Sequence, residues 1–258
     1  QGVPVDLPEA YLWFTEAAVQ NHREAEELRD QLLSQMKPEQ VFEGHLRRAR
    51  RGDTEEQYFV GAAYAKGQGV KSDIEPAARW YREAAAKGHP EAQLKLGLMY
   101  YEGQGSPQNF AEAAKWLEAA AKQGHIVAQL YLGVLLAEGH GTAKNPEEAV
   151  KWYRRAAEQG VVDAQVNLGL MLAKGQGVKQ DFAEAVQWFQ KAADQQNAIA
   201  LLNLGILCEN GQGVNKDTAQ ALKLYRQAAE LGEGEAEYRL GAAYMEGRIV
   251  EKNFADAV

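Results

Sequence analysis

The chain has 258 residues, enough for two ordinary domains or one elongated array of repeats. Hydrophobic residues make up 46% and charged residues 25%, the composition of an ordinary folded protein rather than a disordered one. The excess of acidic over basic residues, 36 against 28, gives a net charge of −8 and argues against nucleic acid as a partner. No run of 18 apolar residues is present, which predicts no membrane insertion, and the single cysteine, Cys208, excludes an intramolecular disulfide.

The N-terminal block, residues 1–51, predicts three helices. Asp6 is a suitable N-cap for the first helix. Apolar residues at helical spacing then predict a second helix that continues as far as Met36. Pro38 begins a third helix, which ends near Gly52. This block shows no regular repeat of its own.

From residue 52 onward, the sequence repeats every 36 residues. One glycine column is Gly61, Gly97, Gly133, Gly169, Gly205 and Gly241. A second glycine column stands six residues later, at Gly67, Gly103, Gly139, Gly175, Gly211 and Gly247. No copy contains an insertion, so residues 52–258 form one regular array of about six repeats, of which the last is truncated.

The first half of each repeat predicts a helix, for example from about Pro90 to Glu102. This helix ends at Gly103, because a residue without Cβ can adopt the left-handed conformation at a helix C-terminus. A Gly-x-Gly turn then reverses the chain. The second helix begins at a column of short N-cap side chains, which is Asp73, Asn109, Asn145, Asp181, Asp217 and Asn253.

In the second helix, acidic, aromatic and alanine positions have the same spacing from one repeat to the next. Three residues after the cap, Glu112 and Glu184 predict a capping box. An aromatic pair such as Trp188-Phe189 precedes paired alanines, and the helix ends at a glycine such as Gly160. We expect the aromatic column to fill the space between successive hairpins, because one hairpin alone cannot bury both of its faces.

These motifs resemble the Sel1-like repeat family, a relative of the tetratricopeptide repeat. The resemblance rests on A-x-x-x-L-G, the G-x-G turn, the D/N-x-x-E/Q-A helix start and the W-Y/F-x-x-A-A segment. It implies an all-α fold, a right-handed α-solenoid superhelix of antiparallel helix-turn-helix repeats. A tetratricopeptide array would have a period of 34 residues and no double-glycine turn. The same columns appear near Trp13 at an offset of 67, so residues 1–51 are interpreted as the end of a preceding repeat plus linking helices.

No motif predicts a catalytic, cofactor or metal site. The Gly-x-Gly turns follow helices, whereas a dinucleotide fingerprint requires a preceding strand. His89 and His125 share one repeat column and are expected on the order of 10 Å apart, one interhelical spacing, which is too far to share a zinc ion. Polar residues at helix starts are the preferred interpretation of both histidines.

Two further features have a structural and a functional interpretation. Cys208 stands in a mostly apolar column, which favours a buried and unreactive thiol over a nucleophile. The other feature is a dense basic cluster, which is interpreted as a solvated helix end, with a phosphate or acidic partner as the alternative. The cluster consists of Arg47, Arg48, Arg50 and Arg51.

The predicted function is a non-enzymatic scaffold or adaptor that binds a partner protein or peptide on its concave surface. The competing class is an enzyme with a site between repeats, which the uniform repeat length disfavours. The resemblance adds another alternative, a bacterial immunity protein that neutralises a cognate secreted toxin, and it suggests the periplasm. The oligomeric state stays open.

By analogy with tetratricopeptide solenoids, the first helix of each hairpin lines the concave side. The position two residues before the helix glycine varies strongly along the repeats, unlike its neighbours. It is occupied by Phe59, Lys95, Tyr131, Asn167, Asn203 and Arg239. One turn earlier, Val127 and Ile199 add apolar groups, so these eight residues are the predicted partner-binding set. In the alternative interpretation, Phe59 and Tyr131 only pack on the neighbouring hairpin.

The chain opens at the second helix of a repeat, and it closes about one turn after the Asn253 cap. Unpaired hairpin halves leave apolar faces that terminal repeats normally cover. We therefore expect the natural protein to extend beyond both ends of this sequence.

Overall fold

The computed structural model describes residues 5–245, and this part of the chain is all-α. Within it there are fourteen helices and no strand. The helices are α1 (Leu7–Val19), α2 (Arg23–Leu33), α3 (Pro38–Arg50), α4 (Thr54–Lys66), α5 (Ile74–Ala86), α6 (Pro90–Glu102), α7 (Phe110–Lys122), α8 (Ile126–Glu138), α9 (Pro146–Glu158), α10 (Val162–Lys174), α11 (Phe182–Ala193), α12 (Ala198–Asn210), α13 (Thr218–Glu230) and α14 (Gly234–Met245). No helix among these residues is both long and apolar enough to cross a membrane.

The chain divides into two units. The first unit is Gln1–Ala128 with His140–Thr142, and its closest helix pairs are the hairpins α4–α5 and α6–α7. The second unit is Gln129–Gly139 with Ala143–Val258, and it contains the hairpins α10–α11 and α12–α13. An apolar cluster of buried residues from α9 to α14 forms a core in the second unit.

The helix boundaries agree with the repeat pattern. The predicted helix from Pro90 to Glu102 is confirmed as α6. Gly103 adopts the left-handed conformation with φ +74°, and its backbone N–H donates to the carbonyl of Met99. Gly67, Gly175 and Gly211 end α4, α10 and α12 in the same conformation. The six residues between the two glycine columns are therefore the C-terminal half of the first helix in each hairpin.

The helix glycine and the aromatic pair pack together inside each hairpin. A Cβ added at Gly169 would lie 2.7 Å from Cε1 of Phe189, so no larger residue fits at this crossing. The first aromatic residue of the pair behaves as predicted, since Trp80 packs against Phe42 and Leu46 of the preceding α3. The aromatic pair thus fills two spaces, one within the hairpin and one between hairpins.

The N-cap column is confirmed, but the capping box is wrong. The side chain of Asp181 accepts from the N–H of Glu184 at 2.8 Å. The backbone N–H of Asp181 donates to the carbonyl of Leu172 in the preceding helix at 3.0 Å, so it needs no carboxylate. The Glu184 carboxylate instead accepts from the Trp188 indole N–H at 3.1 Å. Asn253 and Gly247 lie outside the described residues.

The second glycine of each turn contacts the start of an earlier helix. In the second unit, Gly177 has φ +68°, and a Cβ there would lie 2.3 Å from the carbonyl oxygen of Pro146. In the first unit, a Cβ at Gly69 would lie 2.3 Å from the carbonyl oxygen of Pro38. Real Cβ atoms do not approach backbone this closely, so the stacking of hairpins requires glycine at these positions.

The N-terminal block departs from the prediction at α2. This helix ends at Leu33 rather than continuing to Met36. The hydroxyl of Ser34 donates to the carbonyl of Gln31 at 2.6 Å, which gives the last turn a partner outside the helical pattern. Met36 consequently stands in the link before α3.

The third helix, predicted from Pro38 to near Gly52, is confirmed as α3. Its Gly44 receives the ring of Tyr11 from α1, because a Cβ there would lie 2.7 Å from Cδ1 of Tyr11. Helix α1 therefore packs on α3 at a glycine, as the hairpins of the regular repeats do. The boundary near residue 51 between the two sequence blocks stays a prediction.

Candidate partner-binding surface

The eight predicted partner-binding residues all lie on the first helices of their hairpins. In the first unit these are Phe59 on α4, Lys95 on α6 and Val127 on α8. In the second unit they are Tyr131 on α8, Asn167 on α10, Ile199 and Asn203 on α12, and Arg239 on α14. Three apolar members keep much of their surface in solvent, with Phe59 39%, Val127 40% and Ile199 45% exposed. The other five are half-buried.

Phe59 packs partly on the preceding helix. Its ring lies 3.9 Å from the ring of His45 on α3, measured between centroids. Packing on a neighbouring helix is what we expect if Phe59 has only a structural role. However, 39% of the Phe59 surface stays exposed. The side chain therefore has one face on α3 and another toward solvent.

Arg239 is held by groups of its own unit. Its Nε lies 3.0 Å from a carboxylate oxygen of Glu235, and its Nη1 lies 3.6 Å from Glu209. The guanidinium stands 5.7 Å from the ring centre of Tyr225. Burial, together with the hydrogen bond from the Tyr225 hydroxyl to Glu209 at 2.8 Å, raises the pKa of Tyr225. The orientation of Arg239 is consequently fixed before any partner arrives.

Phe59 lines a cavity of about 810 Å³ in the first unit, the first-unit groove. Its walls are largely apolar and include Met36, Phe42 and Val70. Lys71 and Glu39 stand at its edge. The groove opens where the α4 turn meets the start of α3, which is also the place of the close glycine contact at Gly69.

Asn167 lines a cavity of about 490 Å³ in the second unit, the second-unit groove. It overlaps the place in the repeat of the first-unit groove, because four lining residues of each groove correspond at a separation of three periods of 36 residues. Thus Pro38 corresponds to Pro146, and Phe59 corresponds to Asn167. At the edge, Lys144 stands where the first-unit groove has Met36. One backbone arrangement therefore carries two different surfaces.

A column of buried glutamines was missed in the sequence. The side-chain amide of Gln93 donates to the carbonyl of Ala85 at 3.2 Å, and its oxygen accepts from Gln123 at 2.7 Å. Gln57 and Gln165 make the same kind of bond to the carbonyls of Ala49 and Ala157. The signal was available, since these glutamines stand 36 or 72 residues from Gln93, among apolar positions. They give a second hydrogen bond to carbonyls at helix ends, which also accept from the backbone N–H groups of Gly52, Gly88 and Gly160.

The histidine interpretation is confirmed for His89, which caps α6. Its Nδ1 accepts from the N–H of Ala92 at 3.2 Å, and its Nε2 lies 3.2 Å from the Glu55 carboxylate. His125 contacts Glu91 in the same way at 2.8 Å. In the described part of the chain, no group of three or more His, Cys, Asp or Glu residues is placed to hold a metal ion.

The basic cluster stands at the C-terminal end of α3, as predicted, and Arg50 and Arg51 are exposed there. The prediction that the cluster is solvated is wrong for Arg47 and Arg48, which are half-buried and paired with carboxylates. Arg48 pairs with Glu56 at 2.7 Å and with Asp53 at 2.6 Å. Arg47 pairs with Asp6 at 2.8 Å and holds the pKa of that carboxyl below its ordinary value. The acidic partners are thus supplied by α1, α4 and their caps. Asp53 and Glu56 lie within eight residues of Arg48, so that pairing was open to local reasoning. The pairs with α1 were not, because about 40 residues of irregular sequence separate Arg47 from Asp6 and Arg51 from Glu9.

Cys208 is half-buried and packs against the core of the second unit. Burial raises the pKa of its thiol, and the nearby Asp217 carboxylate acts in the same direction. A thiol in this setting stays protonated and is a poor nucleophile. The thiol was predicted to be buried and is half-buried, and its low reactivity stays a prediction.

The fold and the repeated grooves define an α-solenoid protein built from helical hairpins with a double-glycine turn. The Sel1 repeat matches the chain over residues 1–22, 57–89, 90–125, 126–161, 162–197, 198–233 and 234–258. This chain belongs to the Sel1 repeat family. The unmatched residues 23–56 contain the irregular helices α2 and α3. Sel1 repeats are typically protein-interaction modules and generally lack enzymatic activity.

Two solved structures support the family assignment. The chain is 32% identical to c5321, a protective antigen of uropathogenic Escherichia coli displaying an SLR fold, with a TM-score of 0.77. That match covers 94% of this chain but 53% of the other, so this chain spans about half the length of c5321. A Sel1 repeat protein from Oxalobacter formigenes is 38% identical, with a TM-score of 0.70, covering 76% of this chain and 80% of that one. The comparison with curated proteins gives no match.

Proposed function

We propose that this chain is a non-enzymatic scaffold that binds a partner protein or peptide through the face formed by its first helices. One observation carries the proposal: Phe59 and Asn167, at the same repeat position, line two grooves that share a backbone arrangement and differ in side chains. Positions that only stabilise the repeat are nearly uniform, such as the helix glycines. A variable position that lines a groove in otherwise regular repeats is expected where recognition rather than folding selects the residue.

Three members of the set have the chemistry of interface anchors. Phe59 and Ile199 present apolar surface to solvent, and Arg239 presents a guanidinium oriented in advance. Aromatic and arginine side chains supply much of the binding energy in protein interfaces, and a fixed side chain loses little entropy on binding. These features favour a protein or peptide over a small substrate.

The experiment is capture of the partner from cells of the native organism, followed by affinity measurement with purified proteins. The double variant Tyr131→Ala with Arg239→Ala should weaken binding at least about tenfold, the loss of one strong anchor. Lys223→Ala with Glu230→Ala, two exposed residues on α13, is the matched control and should leave affinity unchanged.

Unchanged affinity in a normally folded Tyr131/Arg239 variant would reject the first-helix face as the binding surface. The identity of the captured protein decides the finer role. A secreted toxin whose activity is lost on binding would assign the alternative function of an immunity protein.

A further inference from the structure

The second-unit groove has an apolar floor. Val134 and Leu170, from α8 and α10, are half-buried, and Met171 is nearly covered. The volume of about 490 Å³ leaves room for an aliphatic side chain and its flanking backbone. A binding segment would therefore place one apolar side chain between the two helices.

The mouth of this groove carries positive charge in a chain whose net charge is −8. Lys144 and Lys174 line it, and both are exposed. Neither lysine makes an ion pair with any residue that the structure describes, whereas Lys151 pairs with Glu148 at 2.9 Å. The acidic lining residue, Glu138, already interacts within the chain. The lining of the groove thus carries two lysines against one glutamate, an excess of positive charge that a negatively charged group can complement.

We infer that the second-unit groove binds an extended acidic segment of the partner protein, with a leucine-like side chain on the floor and a carboxylate near each of Lys144 and Lys174. This inference rests on the proposed function and specifies the chemistry of the partner. In an extended segment, side chains at i, i+2 and i+4 point to one face. A segment with an acid-x-aliphatic-x-acid pattern presents one aliphatic and two acidic side chains on that face and is the probe we choose.

The probe is a fluorescent heptapeptide, Gly-Asp-Ser-Leu-Ser-Asp-Gly, titrated with the purified chain at low ionic strength. Its anisotropy should rise on binding, and affinity should fall as salt screens the exposed charges. The peptide with Lys in place of both Asp should not bind. The peptide with Ser in place of Leu should bind at least about fivefold more weakly, because an aliphatic side chain loses its apolar contact.

Two variants test the groove itself. Lys144→Glu with Lys174→Glu should reduce affinity at least about tenfold, since both attractions become repulsions. The matched control, Lys191→Glu with Lys223→Glu, makes the same change in net charge at exposed lysines that do not line the groove and should have less than about a twofold effect. Asn167→Trp should also abolish binding by filling the groove. Circular dichroism establishes that each variant is folded.

The inference is overturned if the acidic peptide shows no binding at millimolar concentration, if both charge-reversal pairs act equally, or if Asn167→Trp has no effect. These outcomes are separable from failure of the proposed function. A captured partner that loses affinity for the Tyr131/Arg239 variant but not for the Lys144/Lys174 variant would preserve the scaffold role and reject the acidic segment.

Discussion

A Cβ added to Gly177 would lie only 2.3 Å from the carbonyl oxygen of Pro146. Gly177 belongs to the turn after α10, and Pro146 begins α9. The contact joins backbone to backbone across two hairpins of the second unit. The stacking of these hairpins therefore requires a residue without a Cβ at position 177.

Gly177→Ala should lower the free energy of unfolding by about 3 kcal/mol, combining left-handed strain with overpacking. Gly160→Ala is the matched control. Gly160 has φ +87° but no atom within 4 Å of the position of an added Cβ, so only the strain of about 1 kcal/mol applies. Urea unfolding followed by circular dichroism measures both values. Equal losses would show that the backbone contact contributes nothing.

Gln196 has φ +60° at the helix-ending position where other repeats place glycine. A side chain in this conformation costs about 1 kcal/mol, so Gln196→Gly should raise the free energy of unfolding by roughly that amount. Gln196→Ala keeps the strain and serves as the control, with little change expected. A Gln196→Gly variant no more stable than the wild type would contradict the argument.

Arg154 makes a short ion pair with Glu184 and holds the pKa of that carboxyl below its ordinary value of 4.5. A lowered folded-state pKa contributes stability above pH 4.5, and that contribution is lost as the pH falls through the folded value. Arg154→Met should therefore be less stable than the wild type at pH 7, by less than about 1 kcal/mol after solvent screening. The difference should vanish in strong acid.

Lys151→Met is the control for this ion pair, because Lys151 and Glu148 are more exposed. We expect a smaller difference at pH 7, because solvent screens an exposed pair more strongly. Urea midpoints of the three proteins across the acid range make the comparison. An Arg154→Met difference that persists below the carboxyl range would assign the effect to packing instead.

The raised pKa of the Cys208 thiol predicts slow alkylation of the native chain. Iodoacetamide at pH 8 should modify Cys208 at least about tenfold more slowly in the folded protein than in urea, because only the thiolate reacts. The native rate should rise only at pH values above the ordinary thiol range. Mass spectrometry over time measures both rates, and equal rates would show that burial does not protect the thiol.

The repeat made most of the fold predictable, since glycine and Asx columns mark each helix end by local chemistry. The predictions were wrong where a polar group could bond either to a neighbour in the sequence or to a residue of another helix. The N–H of Asp181 could bond to Glu184 or to an earlier helix, and only the packed structure shows that Leu172 receives it. Arg47 likewise finds Asp6 across an irregular segment.

The candidate surface was less predictable than the fold. Phe59 and Asn167 could be selected as variable positions, but the grooves beside them depend on Met36 and Lys144, which belong to links rather than helices. Sequence periodicity identifies where variation occurs. It does not reveal which side chains from neighbouring elements enclose the space beside it.

The close glycine contacts that carry the stacking use backbone atoms, so they are indifferent to the side chains at the edges of the grooves. Duplication of one 36-residue unit can therefore add a new groove while the stacking contacts between hairpins stay the same. Later substitutions at positions equivalent to Phe59 can diversify that groove while leaving thermal stability nearly constant. For protein engineering, this column is the natural place to randomise in a library that selects for new ligands.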